Sequence, residues 1–162
     1  MGAPFDLKDL RITGTPVPIL EGLVTNLSGG AHFSVSNNGT LGGHVQVGNH
    51  AVMGGLTAVH QFCRIGRFAI TGGCSKIVQD VPPFMIADGN PAEIRGINLV
   101  GLERKNFPPE SVKLIKEAFR LIYRSKYNTR QAVEAMRKEL PQKEEITEII
   151  DFIEQSERGI IR

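Results

Sequence analysis

The sequence predicts a left-handed parallel β-helix of hexapeptide repeats, followed by a C-terminal α-helical domain. Between Val35 and Val81 a large aliphatic residue recurs at every sixth position, with Thr71 as the exception, and a small or medium-sized residue follows four places later. Glycine comes directly after this first position in five of these hexads, at 42, 48, 54, 66 and 72. The glycines and the period of six exclude an α-helix there. From residue 108 onward the apolar spacing changes to three and four, which is typical of helices.

Each hexad supplies one short strand and one turn. Three strands would form the flat sides of a coil of about 18 residues, and coils would stack about 4.8 Å apart. The aliphatic residue would point inward, and the small residue would let the wall close. The first positions are Val35, Leu41, Val47, Met53, Val59, Ile65, Thr71 and Ile77.

The chain divides into four predicted parts. Residues 1–31 contain Pro16 and Pro18 and fit the hexad poorly, so they form either one imperfect coil or a loosely ordered segment. The repeat ends near Pro82 and Pro83, and strong turn residues follow from Asp88. The predicted parts are an atypical amino-terminal segment at 1–31, the β-helix at 32–90, a connector at 91–107 and the helical domain at 108–162.

Three helices are predicted in the last part. Prolines or capping residues precede the first two, and the first and third have apolar residues at helical spacing. The predicted helices run from the prolines at 108 and 109 through Ile122, from Asn128 or Thr129 to about Leu140, and from Glu144 to about Ser156.

Composition limits the function classes. The formal charge of +2 and the pI near 8.6 are too mild to indicate a nucleic-acid partner. Residues 1–30 contain no apolar run long enough for a signal peptide or a membrane span, so the predicted location is the cytoplasm. Cys63 and Cys74 lack metal-ligand spacing and are interpreted as buried or half-buried thiols.

Several segments of the repeat and of the region after it carry a family resemblance. They resemble the UDP-N-acetylglucosamine acyltransferase of lipid A biosynthesis, and the similarity extends over residues 32–162. The hexads alone would indicate only a broad superfamily, whereas AVHQF at 58–62 and GLERK at 101–105 narrow it to this family. The segments are NNGTLGGHV (37–45), GGLTAVHQF (54–62), QDVPP (79–83), GNPA (89–92), GINLVGL (96–102) and GIIR (159–162).

The resemblance implies transfer of a 3-hydroxyacyl chain from acyl carrier protein to the 3-hydroxyl of UDP-N-acetylglucosamine, in a cleft between subunits of a homotrimer. No metal or dissociable cofactor is expected. The reaction needs a general base for the sugar hydroxyl and a donor that stabilises the oxyanion. By resemblance the donor is the amide of Gly43, and His44 is a second catalytic residue. The implied substrate-binding residues are His60, Gln61, Asn98, Arg104 and Lys105, and Gly73 is the implied acyl-length position.

Each of these residues also has a plain structural interpretation. Gly43 and Gly73 are turn or repeat glycines, the histidines are surface or interface residues, and Arg104 and Lys105 are solvated cations. The family often has two arginines at the last pair, so Lys105 lacks the bidentate fork that a second arginine would provide.

The amino end departs from the family at the position of the base. The residue eighteen before Gly43, one coil beneath it, is Thr25, where the family has a histidine. A threonine hydroxyl is not a base near neutral pH, whereas an imidazole is. His32 is expected on a different side of the coil, stacked with His50 as a structural pair, an exposed pair or a metal site at a trimer axis. A shortened or frame-disrupted coding sequence and a divergent protein are both compatible with this departure.

Three functional hypotheses follow from the sequence. The first is the O-acyltransferase itself, impaired because Thr25 stands at the base position. The second is a non-catalytic trimeric β-helix module that binds the nucleotide sugar or the carrier protein, or only associates with itself. The third is a related N-acyltransferase of the same pathway, which the helical tail and the AVHQF segment fit less well.

Overall fold

The structure is a computed structural model that describes residues 11–13 and 33–162. In the described part, short strands are followed by four α-helices. The strands are β1 (Arg11–Thr13), β2 (Ser34–Ser36), β3 (Thr40–Leu41), β4 (Gln46–Val47), β5 (Val52–Met53), β6 (Ala58–Val59), β7 (Arg64–Ile65), β8 (Ile70–Thr71), β9 (Lys76–Ile77), β10 (Met85–Gly89) and β11 (Ala92–Ile97).

The hexads form a parallel β-solenoid of about three turns. Ser34 pairs with Val52 and Val52 pairs with Ile70, so residues three hexads apart stack in successive coils. Three parallel faces result from this period. Face one contains β2, β5, β8 and β10, face two contains β3, β6 and β9, and face three contains β4 and β7.

The interior confirms the predicted inward positions. Aliphatic first-position residues from Val47 onward are buried, and so are the fifth-position residues from Val45 onward. The buried hydroxyls are hydrogen-bonded: Thr57 Oγ1 donates to the Gly72 carbonyl at 2.8 Å, and Ser75 Oγ donates to Asp88 Oδ1 at 3.2 Å. These bonds offset the loss of water that burial imposes on polar groups.

From Asn38 to Cys74, the residue at the fourth position of each hexad has a φ angle in the left-handed region. These residues are not glycine, and their φ angles lie between 57° and 64°. We call the turns corners. The first corner (Asn38, Leu56, Cys74) joins faces one and two, the second corner (His44, Phe62) joins faces two and three, and the third corner (His50, Phe68, with Phe84 above) joins faces three and one.

The upper end of the solenoid departs from the regular period. Ile65 bridges to Val81 and Ile70 pairs with Ile86. In each pair, the two residues are separated by fewer residues than three full hexads contain. Strand β10 then pairs antiparallel with β11. The region 91–107, described above as a connector, thus contains a strand and a short helix.

The helices follow the predicted spacing. They are α1 (Leu99–Arg104), α2 (Pro109–Phe119), which continues as a π-helical turn at Arg120–Arg124, α3 (Thr129–Glu139) and α4 (Glu144–Glu154). Asn128 caps α3, accepting from the Gln131 amide while the Gln131 side chain accepts from the Asn128 amide. This reciprocal capping box satisfies two amides that a helix start leaves unpaired.

Helix α4 packs on face three. The Arg64 guanidinium lies 4.4 Å from the centre of the Phe152 ring. Arg67 forms an ion pair with Glu148, in which Nε donates to both carboxylate oxygens at 2.9 Å and 3.1 Å and Nη2 donates to Oε2 at 2.7 Å. Phe68 and Phe84 from the third corner belong to the same buried cluster as the helices. The helical region therefore covers face three and the third corner.

The residues after α4 join the helices to the second corner. Asp80 donates its amide to the Gly159 carbonyl at 3.0 Å, and its carboxylate accepts from Ser156 Oγ at 2.7 Å and from the Arg64 amide at 2.8 Å. Asp80 also bridges in parallel to Ile160. Residues 159–161 thus extend the solenoid by one short extended segment.

Candidate active site

Four predicted site residues meet at the second corner. Gly42 and Gly43 lie one coil beneath His60 and Gln61, and a Cβ built on Gly42 would be 2.8 Å from the Cα of Gln61. The Phe62 amide donates to the Gly43 carbonyl at 2.9 Å. The side chains of His44, His60 and Gln61 are exposed. The corner thus presents two imidazoles and an amide beside a glycine backbone.

Packing within the described residues does not require a glycine at position 43. A Cβ built on Gly43 would meet nothing within 4 Å, and its φ lies outside the left-handed region. Among the described residues, no hydrogen bond uses the Gly43 amide as donor. At Gly42, by contrast, a Cβ would collide with the backbone of the next coil. Within the described part of the chain, the Gly43 N–H therefore has no acceptor, and no described atom lies near the position of a Cβ on this residue.

A contact with the neighbouring backbone carbonyl determines which nitrogen of the His60 ring carries the hydrogen. Its Nδ1 lies 3.1 Å from the Gln61 carbonyl oxygen, which only accepts hydrogen bonds, so Nδ1 carries the hydrogen. In the neutral ring Nε2 then holds the lone pair and serves as an acceptor. The other imidazole, His44, stacks flat on Phe62, with ring centres 5.0 Å apart and planes 2° apart.

A hollow of about 350 Å³ adjoins the second corner and adds residues that sequence reasoning missed. Its lining includes the stacked pair of His44 and Phe62 together with Gln155 and Glu157, which follow α4. QDVPP is one of the segments that carry the family resemblance, but no sequence signal links it to the end of α4. The lining residues are His44, Gln46, Phe62, Arg64, Asp80, Gln155 and Glu157.

The thiol beside this corner is not a nucleophile near neutral pH. Cys63 follows Phe62, points inward and is fully buried. Burial raises the pKa of its thiol to about 11, so the thiolate forms only in strongly alkaline solution. Cys74 is exposed, which corrects the interpretation of both cysteines as buried or half-buried. The reason is its hexad place, since the fourth position turns outward and the fifth turns inward.

Three other predicted residues lie at the third corner. The Asn98 side chain is 3% exposed: its Nδ2 donates to the Phe68 carbonyl at 2.8 Å, and its Oδ1 accepts from the Gly101 amide at 2.8 Å. Asn98 thereby caps α1 and attaches it to the solenoid. Arg104 and Lys105 follow at the end of α1, and both are exposed.

These residues line a second hollow, of about 510 Å³. Its walls combine apolar side chains with the two cations at the end of α1, a combination suited to an anionic ligand that also has an apolar or planar part. The lining residues are Phe33, Ser34, His50, Ala51, Val52, Phe68, Ile70, Asn98, Val100, Gly101, Arg104 and Lys105.

The acyl-length candidate lies at the first corner. Gly73 is exposed, and a Cβ built on it would be 3.4 Å from the Gly55 carbonyl oxygen, an ordinary contact. Leu56, next to Gly55, is 59% exposed. The predicted residues thus form three groups at three corners. In one chain, face three and the α4 helix packed on it separate the second-corner group from the third-corner group.

Two predicted positions, Thr25 and His32, lie outside the described residues. Arg11 pairs with Ser34, and this pair is further apart along the chain than Ser34 and Val52 in the coils above. A count of three hexads back from Gly43 therefore does not by itself identify the residue that stacks beneath it. The expected partner of His32, His50, lies with its ring centre 4.8 Å from that of Phe68.

Neither a metal site nor a membrane helix is present in the part of the chain that the structure describes. Over 11–13 and 33–162, no group of three His, Cys, Asp or Glu side chains is placed to hold a metal ion. Within the same ranges, each helix is too short or too polar to cross a bilayer.

Comparisons with known proteins agree with the resemblance. A family model described as UDP-N-acetylglucosamine O-acyltransferase, domain 2, matches residues 80–161. The chain is similar to proteins named acyl-[acyl-carrier-protein]–UDP-N-acetylglucosamine O-acyltransferase. The Myxococcus xanthus relative is 43% identical over 107 residues, which are 66% of this chain and 42% of the relative. The Burkholderia mallei relative is 41% identical over 138 residues, which are 82% of this chain and 52% of the relative.

Solved structures show the same similarity. LpxA from Acinetobacter baumannii superposes with a TM-score of 0.78 at 40% identity, over 81% of this chain and 51% of that one. LpxA from Moraxella catarrhalis gives 0.77 at 37% identity, over 82% and 54%. The chain spans about half the length of the relatives that it matches.

Proposed function

Because the chain belongs to the UDP-N-acetylglucosamine O-acyltransferase family, we propose that it forms an acyltransferase of lipid A biosynthesis. The reaction moves a 3-hydroxyacyl chain from acyl carrier protein to the 3-hydroxyl of UDP-N-acetylglucosamine. We place the reaction in the cytoplasm, in a homotrimer of left-handed β-helices that each carry a C-terminal helical domain. No resident metal or cofactor takes part. The proposed domains are those predicted above, at 1–31, 32–90, 91–107 and 108–162.

The observation that carries this proposal is the second corner. Among the described residues the Gly43 amide has no acceptor, and two imidazoles lie at the same corner. When the sugar hydroxyl attacks the thioester carbonyl, a base takes the hydroxyl proton and the carbonyl oxygen becomes an oxyanion. A backbone N–H that already points at that oxygen stabilises it without reorganisation. The tetrahedral intermediate then expels the carrier thiol and leaves the ester.

Substrate binding is assigned to both corners. His60 and Gln61 would contact the sugar from the second corner. Arg104 and Lys105 would attract the diphosphate in the hollow of the third corner. Asn98 would contribute mainly by holding α1, because both ends of its amide already have partners.

The separation of the two groups supports a site built between copies of the chain. Within one chain, α4 lies on face three between them. Apolar side chains of face one and α1 are available for self-association: Val52 is 38% exposed, Leu99 42% and Val100 57%. Two corners of neighbouring copies would then complete one site.

The carrier protein would dock on basic side chains near the same hollow. Arg104 and Lys105 are followed on α2 by Lys113 and Lys116, at helical spacing and exposed. An acidic carrier protein is attracted to such a surface, and the attraction weakens with salt.

The rate of transfer is expected to be low. With Thr25 at the predicted base position, transfer should fall by a factor of about a hundred to ten thousand, the usual contribution of a positioned base. The same residue is the observation that favours a second candidate function, a non-catalytic trimeric module that binds nucleotide sugar or carrier protein.

Calorimetry with UDP-N-acetylglucosamine and a transfer assay with 3-hydroxyacyl carrier protein separate these functions. Binding with slow transfer supports the enzyme, and binding without transfer supports the module. Absence of both, together with a trimer in light scattering, leaves self-association only. Arg104→Ala should weaken binding, whereas Lys138→Ala, an exposed cation on α3, is the matched control for lost charge.

Acyl-chain length gives an independent test. The space next to Gly73 would accept a long chain, and a Cβ at this position makes only an ordinary contact with the Gly55 carbonyl oxygen. Gly73→Met should therefore shift the preference toward shorter acyl carriers with little change in stability. An unchanged preference would remove Gly73 from the acyl path.

A further inference from the structure

The two imidazoles of the second corner are oriented in different ways. The His60 ring is oriented by the 3.1 Å contact between its Nδ1 and the Gln61 carbonyl oxygen. Among the described residues, neither nitrogen of the His44 ring has a hydrogen-bond partner, and the ring contact of His44 is its stack on Phe62. Within this part of the chain, the orientation of the His44 ring therefore depends on Phe62.

The backbone of the corner places these two rings in register. His44 and Phe62 are one coil apart, and both have left-handed backbones, with φ angles of 59° and 64°. The Phe62 amide donates to the Gly43 carbonyl oxygen at 2.9 Å, which fixes the peptide group before His44. Side chains that leave equivalent positions of neighbouring strands are about 4.8 Å apart, a distance at which aromatic rings stack. The distance of 5.0 Å between the ring centres and the interplanar angle of 2° agree with this register.

The third corner repeats the pair in a different environment. His50 and Phe68 are also one coil apart, with ring centres 4.8 Å apart, but their planes are inclined by 37°. Phe68 is 4% exposed and packs edge-on against Phe107 in the core that includes the helices. Phe62 is 52% exposed and lines the hollow of the second corner together with His44. The helical region thus orients the Phe68 ring, whereas at the second corner the two stacked rings orient each other.

We infer that Phe62 is a positioning residue for the acyl transfer, because its ring fixes the plane of the His44 imidazole. This inference rests on the proposed function. An imidazole binds substrate or moves a proton through its two ring nitrogens, so the plane of the ring sets the direction in which it acts. A positioned group adds to the rate only when its atoms are aligned with the reacting centre. Phe62 itself takes part in no bond that forms or breaks.

Two substitutions of Phe62 test the inference in the transfer assay. Phe62→Leu keeps an apolar side chain and the backbone hydrogen bond to the Gly43 carbonyl, but it removes the flat ring. It should lower kcat by about tenfold to a hundredfold, as expected for a misplaced group, and leave KM for UDP-N-acetylglucosamine nearly unchanged. Phe62→Tyr keeps a flat ring and should retain the kcat of the unaltered chain.

A matched control and a double-mutant cycle show how Phe62 acts. Tyr127 is an aromatic residue of the helical region that is 39% exposed, so Tyr127→Leu should leave kcat unchanged. If the Phe62 ring acts through the imidazole, Phe62→Leu should lower kcat in the unaltered chain but not in a chain that carries His44→Ala. The urea midpoint of Phe62→Leu should equal that of the unaltered chain, which separates lost positioning from lost folding.

Contrary results would overturn the inference in distinct ways. Equal kcat values for Phe62→Leu and the unaltered chain would mean that the ring has no role in transfer. A raised KM with an unchanged kcat would mean that the Phe62 ring contacts the sugar directly. An equal loss of kcat in the His44→Ala chain would mean that Phe62 acts independently of the imidazole. Failure of the proposed function would show separately, as absence of transfer by the unaltered chain, and would remove this role of Phe62 with it.

Discussion

The second and third corners of the solenoid occupy equivalent places in the repeat but have opposite surroundings. Phe62 and Phe68 both stand at the fourth hexad position, with φ angles of 64° and 57°. Phe62 is 52% exposed and stacks on His44, whereas Phe68 is 4% exposed and packs edge-on against Phe107. The difference arises because the helical region covers the third corner and leaves the second open.

This comparison separates two roles of the same repeat position. At the third corner an aromatic ring anchors the helices to the solenoid. At the second corner it forms part of an open surface beside Gly43 and His60. The backbone conformation follows from the hexad, while the role follows from what packs on it.

Removing each of the two aromatic rings in turn should give the largest difference in stability between the two corners. Phe68→Ala should lower the free energy of unfolding by about 3–5 kcal/mol, because it leaves a cavity in the shared core. Phe62→Ala should change it by less than about 1 kcal/mol, as expected for an exposed side chain. Urea denaturation of both variants measures this. Equal losses would mean that the second corner is also covered, for example by another copy of the chain.

Substitution of the two adjacent glycines at the second corner should give the second-largest difference in stability. Gly42→Ala should destabilise the protein by about 1–3 kcal/mol, because its Cβ would overlap the backbone at Gln61. Gly43→Ala should leave stability unchanged or raise it by up to about 1 kcal/mol, since its site is open. Thermal denaturation compares the two. Gly43→Ala should nevertheless reduce transfer, since its methyl group would occupy the space beside the oxyanion donor.

Truncation of the amide side chains at the two corners should give a smaller difference in stability. Asn98→Ala should lower stability by about 1–3 kcal/mol, because it leaves the Phe68 carbonyl and the Gly101 amide without their partner. Gln61→Ala should stay within about 0.5 kcal/mol, as for an exposed polar residue. If Asn98→Ala were neutral in denaturation but abolished nucleotide-sugar binding, its role would be ligand contact rather than support of α1.

The two cysteines should differ in reactivity because one is buried and the other is exposed. Because burial raises the pKa of the Cys63 thiol to about 11, that cysteine should not react with a maleimide in the folded protein near neutral pH. Cys74 is exposed and should react. Mass spectrometry should therefore show one label per chain, and none in Cys74→Ser. A second label in the folded protein would mean that the coil at Cys63 opens.

The sequence alone determined the repeat and its chemistry. The hexad period predicted coils of three hexads with positions one and five pointing inward, and the apolar spacing of three and four predicted helices after the prolines at 108 and 109. These features are local, because each depends on residues within one or two turns of the chain. The resemblance also named Gly43, His60, Gln61, Asn98 and Arg104, although their roles are still predictions.

Only the tertiary structure decided how those residues are grouped. It separated Gly42, which the packing of the next coil requires, from Gly43, which nothing in the described part of this chain requires. It buried Asn98 and placed the five named residues at two corners, the second and the third. It also brought Glu148 of α4 against Arg67 of the solenoid. Such contacts depend on which face the helices cover, and no period within the hexads encodes that choice.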